Sequence, residues 1–254
     1  MTLPDDQSHI AHNLAAVRER MAGAAARAGR DVAEVTLVAV SKTQPAEAVQ
    51  AAWEAGQRVF GENRVQEALE KMAHCPPEAQ WHLVGHLQTN KARKVAGTFA
   101  MLHSLDSIEL AREMNRRQGS KVEAGEAAPL EVLIQLNWTS EATKSGVQDM
   151  ASLGEMIAVL RDCPHLRPRG LMTMPDPDYD ERQTRAHFSL VRDLLSAARA
   201  EHNLGAAFDQ LSMGMTHDFE WAIEEGATII RVGTAIFGAR QPMNKQPQPQ
   251  GTTP

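Results

Sequence analysis

Three observations predict an α/β fold of the (β/α)8 barrel class, preceded by one extra N-terminal helix. Eight short apolar runs recur along the chain, at 36–41 (TLVAVS), 58–62 (RVFGE), 81–85 (WHLVG), 101–105 (MLHSL), 130–136 (LEVLIQL), 166–174 (LRPRGLMTM), 209–214 (DQLSMG) and 228–233 (TIIRVG). Segments of helical spacing lie between them, and strands that alternate with helices build a parallel sheet with helical crossovers. The chain has 254 residues, and a barrel of eight such units takes about 250. A doubly wound open sheet is the alternative that the same alternation allows.

The first segment, 8–29, is an amphipathic helix, because Ile10, Leu14, Val17 and Met21 fall on one face. The run 36–41 is nearly all small, apolar or β-branched, as in a strand covered on both faces. After it, KTQPAEAVQAAWEAG carries a proline in its first turn and a terminal glycine, two helix-boundary signals. SLDSIELAREMNRR opens on Ser107 in the manner of a capping box, with its acid, Glu109, one place early. The stretch 116–129 (RRQGSKVEAGEAAP) is polar and rich in Gly and Ala and is expected to be a loop. Residues 1–240 are therefore expected to form one barrel domain, and the Pro/Gln-rich 241–254 a disordered tail that cannot bury enough apolar surface to order itself.

Composition narrows the partners. With 43% hydrophobic and 23% charged residues the chain reads as an ordinary globular protein, and its net charge of -6 argues against nucleic acid, which calls for a basic face. An anionic ligand must then be met locally. The two cysteines, Cys75 and Cys163, form no CxxC pair and no disulfide framework, which suits a reducing compartment. The N-terminal MTLPDDQSHI lacks a basic region followed by an apolar run, and no apolar stretch is long enough to span a bilayer. A cytoplasmic protein with no membrane partner is expected.

In a barrel the chemistry sits at the C-terminal strand ends. Lys42 stands there after the first run; an ordinary lysine at such a place snorkels, with its stem on the core and its ammonium in water. Glu62 and Asn63 follow the second run, and His86 the third. SMGMTHDF, from Ser212, and RVGTAIFG, through Gly233 and Thr234, put small and hydroxyl residues ahead of helices, with His217 and Asp218 expected in the first turn of the former. Free N–H groups at such starts bind phosphate, although glycine is common in any tight turn. Neither is a Walker loop or a GxGxxG fingerprint, so a nucleotide is poorly supported. His82 and His86 face the same way on a strand, yet two histidines leave a zinc site short of ligands; His82 reads as a core residue and His86 as a pocket wall. Lys91, Arg93 and Lys94 are expected on the solvated face of a short helix.

The segments AVSKTQP, FGENRVQEALEK, WHLVGHLQTNK, LMTM and LSMGMTHDFEWAIEEGATIIRVGTAIFGAR resemble the YggS/PROSC family of pyridoxal-phosphate-binding homeostasis proteins, over positions 38–240. The resemblance implies a single barrel like the N-terminal domain of alanine racemase (fold type III) and pyridoxal 5′-phosphate as cofactor. It implies Lys42 as the Schiff-base lysine. Chemistry agrees, since the end of an apolar strand disfavours an ammonium and leaves a nucleophilic amine. It places Ser212, Gly214, Met215, Gly233 and Thr234 in a phosphate cradle and Asn63 and Met172 beside the cofactor ring, with His86 as the pocket wall read above. Arg231 falls opposite the pyridine nitrogen, where a guanidinium keeps that nitrogen unprotonated and restrains carbanion chemistry. The alternative for Arg231 is an ion pair with Glu224 or Glu225.

The chain departs from the common family pattern at Gln44, where many members have lysine, at Arg64 in place of tyrosine and at Thr216 in place of serine. Lys144 matches the family's loop lysine and is a candidate transient acceptor of the aldehyde. Three functions compete: a non-catalytic carrier in cofactor homeostasis, an amino-acid racemase or other enzyme on the same barrel, and an aldolase acting on a phosphorylated sugar. A racemase needs a second base, normally a tyrosine from an additional domain of a partner subunit, and the single tyrosine here, Tyr179, lies in an acidic loop. The carrier leads, as a monomer, with apo-enzymes that use the same cofactor as transient partners.

Overall fold

The computed structural model describes residues 5–138 and 146–238, with side chains from His9 onward. Eight parallel strands follow one another around a closed barrel in chain order: β1 (Thr36–Val40), β2 (Val59–Glu62), β3 (Gln80–Leu83), β4 (Met101–Leu105), β5 (Leu130–Gln135), β6 (Leu166–Met172), β7 (Gln210–Ser212) and β8 (Ile229–Val232). All eight apolar runs become strands. The open-sheet alternative is excluded by the closing ladder, in which β1 pairs with β8 from Thr36↔Ile229 to Ala39↔Val232.

The helices are α1 (Asp5–Arg27), α2 (Ala46–Glu54), α3 (Val65–Met72), α4 (Ala92–Val95), α5 (Ile108–Glu123), α6 (Met150–Arg161), α7 (Glu181–Glu201), α8 (Phe219–Glu224) and α9 (Thr234–Phe237). The expected face of α1 is buried, with Ile10, Leu14, Val17 and Met21 all at 7% exposure or less. Outside the eight strand-to-helix units, α1 packs on α2, α8 and α9 and so covers the seam where the first and last strands meet. Asn13 Nδ2 donates to Ile236 O (2.9 Å), and Arg30 Nη1 donates to Ile223 O and Ala227 O (2.8 Å each) across that seam.

Two layers of apolar side chains fill the molecule. Val38, Val40, Met101, Leu133, Met172 and Ile229 form a cluster separate from the larger core and contributed by β1, β4, β5, β6 and β8, as expected of inward-pointing strand residues in a small barrel. Their strand neighbours Leu37, Ala39, Leu102, Val132 and Ile230 belong to the other cluster, with residues of the helices. Proline in the sixth run is accommodated by a register shift: Val132 pairs with Pro168, and Leu133 with Gly170, so Arg169 is the extra residue.

Three local expectations are corrected. Residues 116–123 are not loop but the second half of α5. Gln118, 2% exposed, accepts from Gly97 N (3.0 Å) and donates to Ala128 O (2.6 Å), and a side chain at Gly119 would lie 2.7 Å from the His165 ring. The polar and glycine residues that suggested a loop are thus a buried helix face. Ser107 does cap α5, accepting from Leu110 N at 3.2 Å, but no box forms because Leu110 has no group to reach back with. Finally, α8 begins at Phe219, so His217 and Asp218 precede it. The tail 241–254 and Lys144 lie outside the described residues.

Candidate functional site

The C-terminal strand ends surround a cavity of about 390 Å³. Of the residues singled out from the sequence, Lys42, Asn63, His86 and Met215 line it, as do Arg231, Gly233 and Thr234. Met172, Ser212 and Gly214 do not. Met172 is 1% exposed in the inner barrel cluster, and Ser212 is fully buried behind Arg231.

Lys42 follows β1 directly and is half-buried. Glu62, at the end of β2, is fully buried and accepts from Ser41 Oγ and from Lys71 Nζ, both at 2.6 Å. Burial raises its carboxyl above the usual range, and the bonds from Lys71 and Ser41 oppose that rise. It is not part of the cavity wall, in keeping with a structural role for the GEN turn.

Arg231 points inward from β8. Its Nη1 donates to Ser212 Oγ (2.7 Å) and its Nη2 to Thr173 O (3.0 Å). Burial lowers its pKa to about 10, with the charge of Asp218 acting the other way, so the guanidinium is cationic at neutral pH. Pairing with Glu224 or Glu225 is ruled out by what those carboxylates do: Glu224 binds Arg27 (2.6 Å) and Arg185 (2.6 Å), and Glu225 binds Arg185 (3.4 Å) and Arg192 (3.6 Å).

The loop after β7 is shaped by Gly214, whose φ of 91° lies in the left-handed region and where a Cβ would come within 2.5 Å of Ala222 Cβ. Met215 N–H donates to Asp218 Oδ1 (2.5 Å). Burial raises the Asp218 carboxyl, while this amide and Arg231 pull it down.

The two histidines of WHLVGH have separate partners. His82 Nδ1 lies 3.0 Å from His103 Nε2, whose ring continues to Ser212 Oγ at 2.9 Å. Burial lowers the pKa of His82 to about 4, and burial, with the nearby His82 and Arg231, holds that of His103 well below its usual value. His86 instead lines the cavity, with Nδ1 2.8 Å from the buried Asp106 carboxylate. They do not converge on one point, and no group of His, Cys, Asp or Glu suited to a metal occurs among the described residues.

Sequence reasoning missed Gln135 and Phe237 on the cavity wall and His103 behind it. Gln135 and His103 are polar residues inside apolar runs, a signal that was there to be used. Phe237 gave none, since an aromatic residue near a chain end is as often core. Tyr179 is half-buried against the ring of His187, 6.4 Å between centroids, and is not on the cavity wall.

An amine at a strand end, a guanidinium on the same cavity wall and hydroxyl- and glycine-bearing loops nearby suit a ligand with an aldehyde, a ring nitrogen and a phosphate. The donor set therefore fits pyridoxal 5′-phosphate.

Comparison with known proteins agrees in fold and extent. The family model for the alanine racemase N-terminal domain matches residues 6–241. The pyridoxal phosphate homeostasis protein of Escherichia coli K12 is 44% identical over 235 residues, covering 91% of this chain and 97% of that protein. The structure of PipY from Synechococcus elongatus with pyridoxal phosphate bound superposes with a TM-score of 0.77 at 37% identity, over 90% of this chain and 100% of that one. Alanine racemase of Bartonella henselae, at 17% identity and TM-score 0.63, shares the fold, and the match covers 96% of this chain but 62% of the racemase. The chain belongs to the alanine racemase N-terminal-domain family and, within it, groups with the pyridoxal phosphate homeostasis proteins.

Proposed function

We propose that the chain binds pyridoxal 5′-phosphate as a Schiff base on Lys42 and acts as a non-catalytic carrier in the homeostasis of that cofactor. The observation that carries this reading is that Lys42 and Arg231 line one cavity together with the loops after β7 and β8. Bound there, the cofactor supplies an aldehyde that an amine converts to an imine with loss of water. Lys42 provides the amine. Arg231, anchored from behind by Ser212 and Thr173, would donate to the ring nitrogen. Asn63 and His86 would flank the ring, Met172 supports the floor from inside the barrel, and Met215, Gly233 and Thr234 would receive the phosphate, on a loop whose turn Gly214 makes.

A carrier is favoured over a racemase because the only tyrosine of the chain, Tyr179, stands away from the cavity. Aldolase chemistry is disfavoured by Glu62, whose carboxylate is turned into the barrel wall. The carrier reading extends to a cytoplasmic monomer whose transient partners are apo-enzymes that use the same cofactor, with Lys144 as a candidate acceptor during release.

The test is a titration with pyridoxal 5′-phosphate, read by the visible absorbance of the imine and by borohydride reduction followed by peptide mapping. Wild type is expected to label at Lys42 and Lys42→Ala to lose the band. Labelling elsewhere overturns the assignment. Deuterium uptake at the α-carbon of amino acids in heavy water, above that given by free cofactor and lost in Lys42→Ala, would make the chain an enzyme instead.

A further inference from the structure

Lys42 stands between two residues held by one hydrogen-bonded cluster centred on the buried Lys71. On one side, Ser41 N–H donates to Gly61 O (3.0 Å), Ser41 Oγ donates to Glu62 Oε1 (2.6 Å), and Ser41 O accepts from Lys71 Nζ (2.6 Å). On the other, Thr43 N–H donates to the Glu67 carboxylate, and Thr43 Oγ1 donates to Lys42 O (2.6 Å). Thr43 has φ 64°, a left-handed conformation that costs a residue with a Cβ about 1–2 kcal/mol and persists only where its surroundings hold it.

Lys71 joins the two sides. Its Nζ donates to Ser41 O (2.6 Å), Glu62 Oε1 (2.6 Å) and Glu67 Oε1 (2.9 Å). An ammonium has three donors, and all three are engaged, so no lone pair is left for an aldehyde. Lys71 is 6% exposed and is not on the cavity wall. Lys42, one residue beyond the carbonyl that Lys71 holds, is. An apolar side chain would fill the space of Lys71 at lower electrostatic cost, because burying an ion pair is often no better than burying hydrophobic residues. What the ammonium adds is a fixed tie from α3 to the backbone on each side of Lys42: to Ser41 directly, and to Thr43 through Glu67.

We propose that Lys71, acting through Ser41 and through Glu67 and Thr43, is a positioning residue that aims the Lys42 amine at the aldehyde of pyridoxal 5′-phosphate. The inference rests on the function proposed above. It separates two properties of the cavity: holding the phosphate and ring is the task of the β7 and β8 ends, while condensation depends on the cluster behind β1 and β2.

The experiment compares wild type, Lys71→Met and Glu67→Ala with two probes. Pyridoxal 5′-phosphate can condense with Lys42, and imine formation is followed by stopped-flow absorbance and borohydride trapping. Pyridoxine 5′-phosphate carries an alcohol in place of the aldehyde and reports the cavity alone. In both variants the rate of imine formation is expected to fall by about tenfold or more, with pyridoxine 5′-phosphate affinity within about threefold of wild type, since small misplacements of a reacting group act on rate. Unchanged imine formation in folded variants overturns the proposal, and so does a parallel loss of both probes, which would mark the cluster as structural only. If Lys71→Met does not fold, Glu67→Ala decides, because it leaves Lys71 paired with Glu62. A wild-type protein that binds pyridoxine 5′-phosphate but forms no imine overturns the Schiff-base reading itself, whatever the variants do.

Discussion

The hydroxyl of Ser212 stands between Arg231 Nη1 at 2.7 Å and His103 Nδ1 at 2.9 Å. A guanidinium only donates, so Ser212 accepts from Arg231, and because its own hydroxyl proton has no other acceptor among the described hydrogen bonds, it donates to His103 Nδ1. His103 therefore carries its proton on Nε2 and donates to His82 Nδ1, 3.0 Å away. The charge of Arg231 thus sets the tautomers of two neutral imidazoles in the barrel.

Ser212→Ala breaks this chain at its centre. The buried guanidinium loses an acceptor and His103 Nδ1 loses its donor; bonds to charged groups contribute about 1.5–3 kcal/mol. A loss of about 2 kcal/mol in urea unfolding is expected, together with weaker binding of pyridoxal 5′-phosphate as Arg231 loses its anchor.

The same chain gives the protein an acid-side weakness. Burial holds His82 near a pKa of about 4 and His103 well below its usual value. The unfolded chain takes up these protons near pH 6.5 and the folded chain does not, so the unfolded state binds more protons between about 6.5 and 4. Stability is full above that window and falls as pH drops through it, by about 3 kcal/mol for a single imidazole shifted this far. The raised carboxyls of Glu62 and Asp218 act oppositely, so His82→Gln isolates the imidazole contribution. Its stability difference between pH 7.5 and 4.5 is expected to be smaller than that of wild type.

Gly214→Ala tests the loop after β7. The residue has φ 91°, and the new methyl would meet Ala222 Cβ at 2.5 Å and Phe219 Cα at 2.9 Å. Strain of about 1–3 kcal/mol and a displaced loop are expected. A lower Tm with weakened binding of both pyridoxal and pyridoxine 5′-phosphate would show this, since the function proposed above gives the loop the phosphate and not the aldehyde.

Leu14→Ala tests the clasp over the barrel seam. Leu14 is fully buried, and truncating such a residue costs about 2–5 kcal/mol. Denaturant unfolding should show that loss, while the rate of imine formation on Lys42 in the folded variant stays near wild type, because α1 lies on the outside of the barrel.

All eight strands and the face of α1 were legible from periodicity, because most residues buried in a barrel are apolar along each strand. Failures came where burial and polarity coexist. Gln118 and Gly119 read as loop residues, yet one is a buried hydrogen-bonding group and the other makes room for His165. Seven of the ten residues named from the sequence line the cavity, since a strand end is a position in the chain. The other three, Met172, Ser212 and Gly214, support it from behind, a distinction no spacing expresses.

Periodicity and residue order were enough for the class of fold, the strand ends and the presence of a lysine on the first of them. Tertiary structure alone decided who meets whom. His103 and Ser212 are 109 residues apart, Arg231 and Thr173 58 apart, and Lys71 and Ser41 30 apart. Barrel closure brings such pairs within hydrogen-bond reach. A buried polar group is tolerable only when its partner is there, and the partner is a property of the closed barrel, not of the segment.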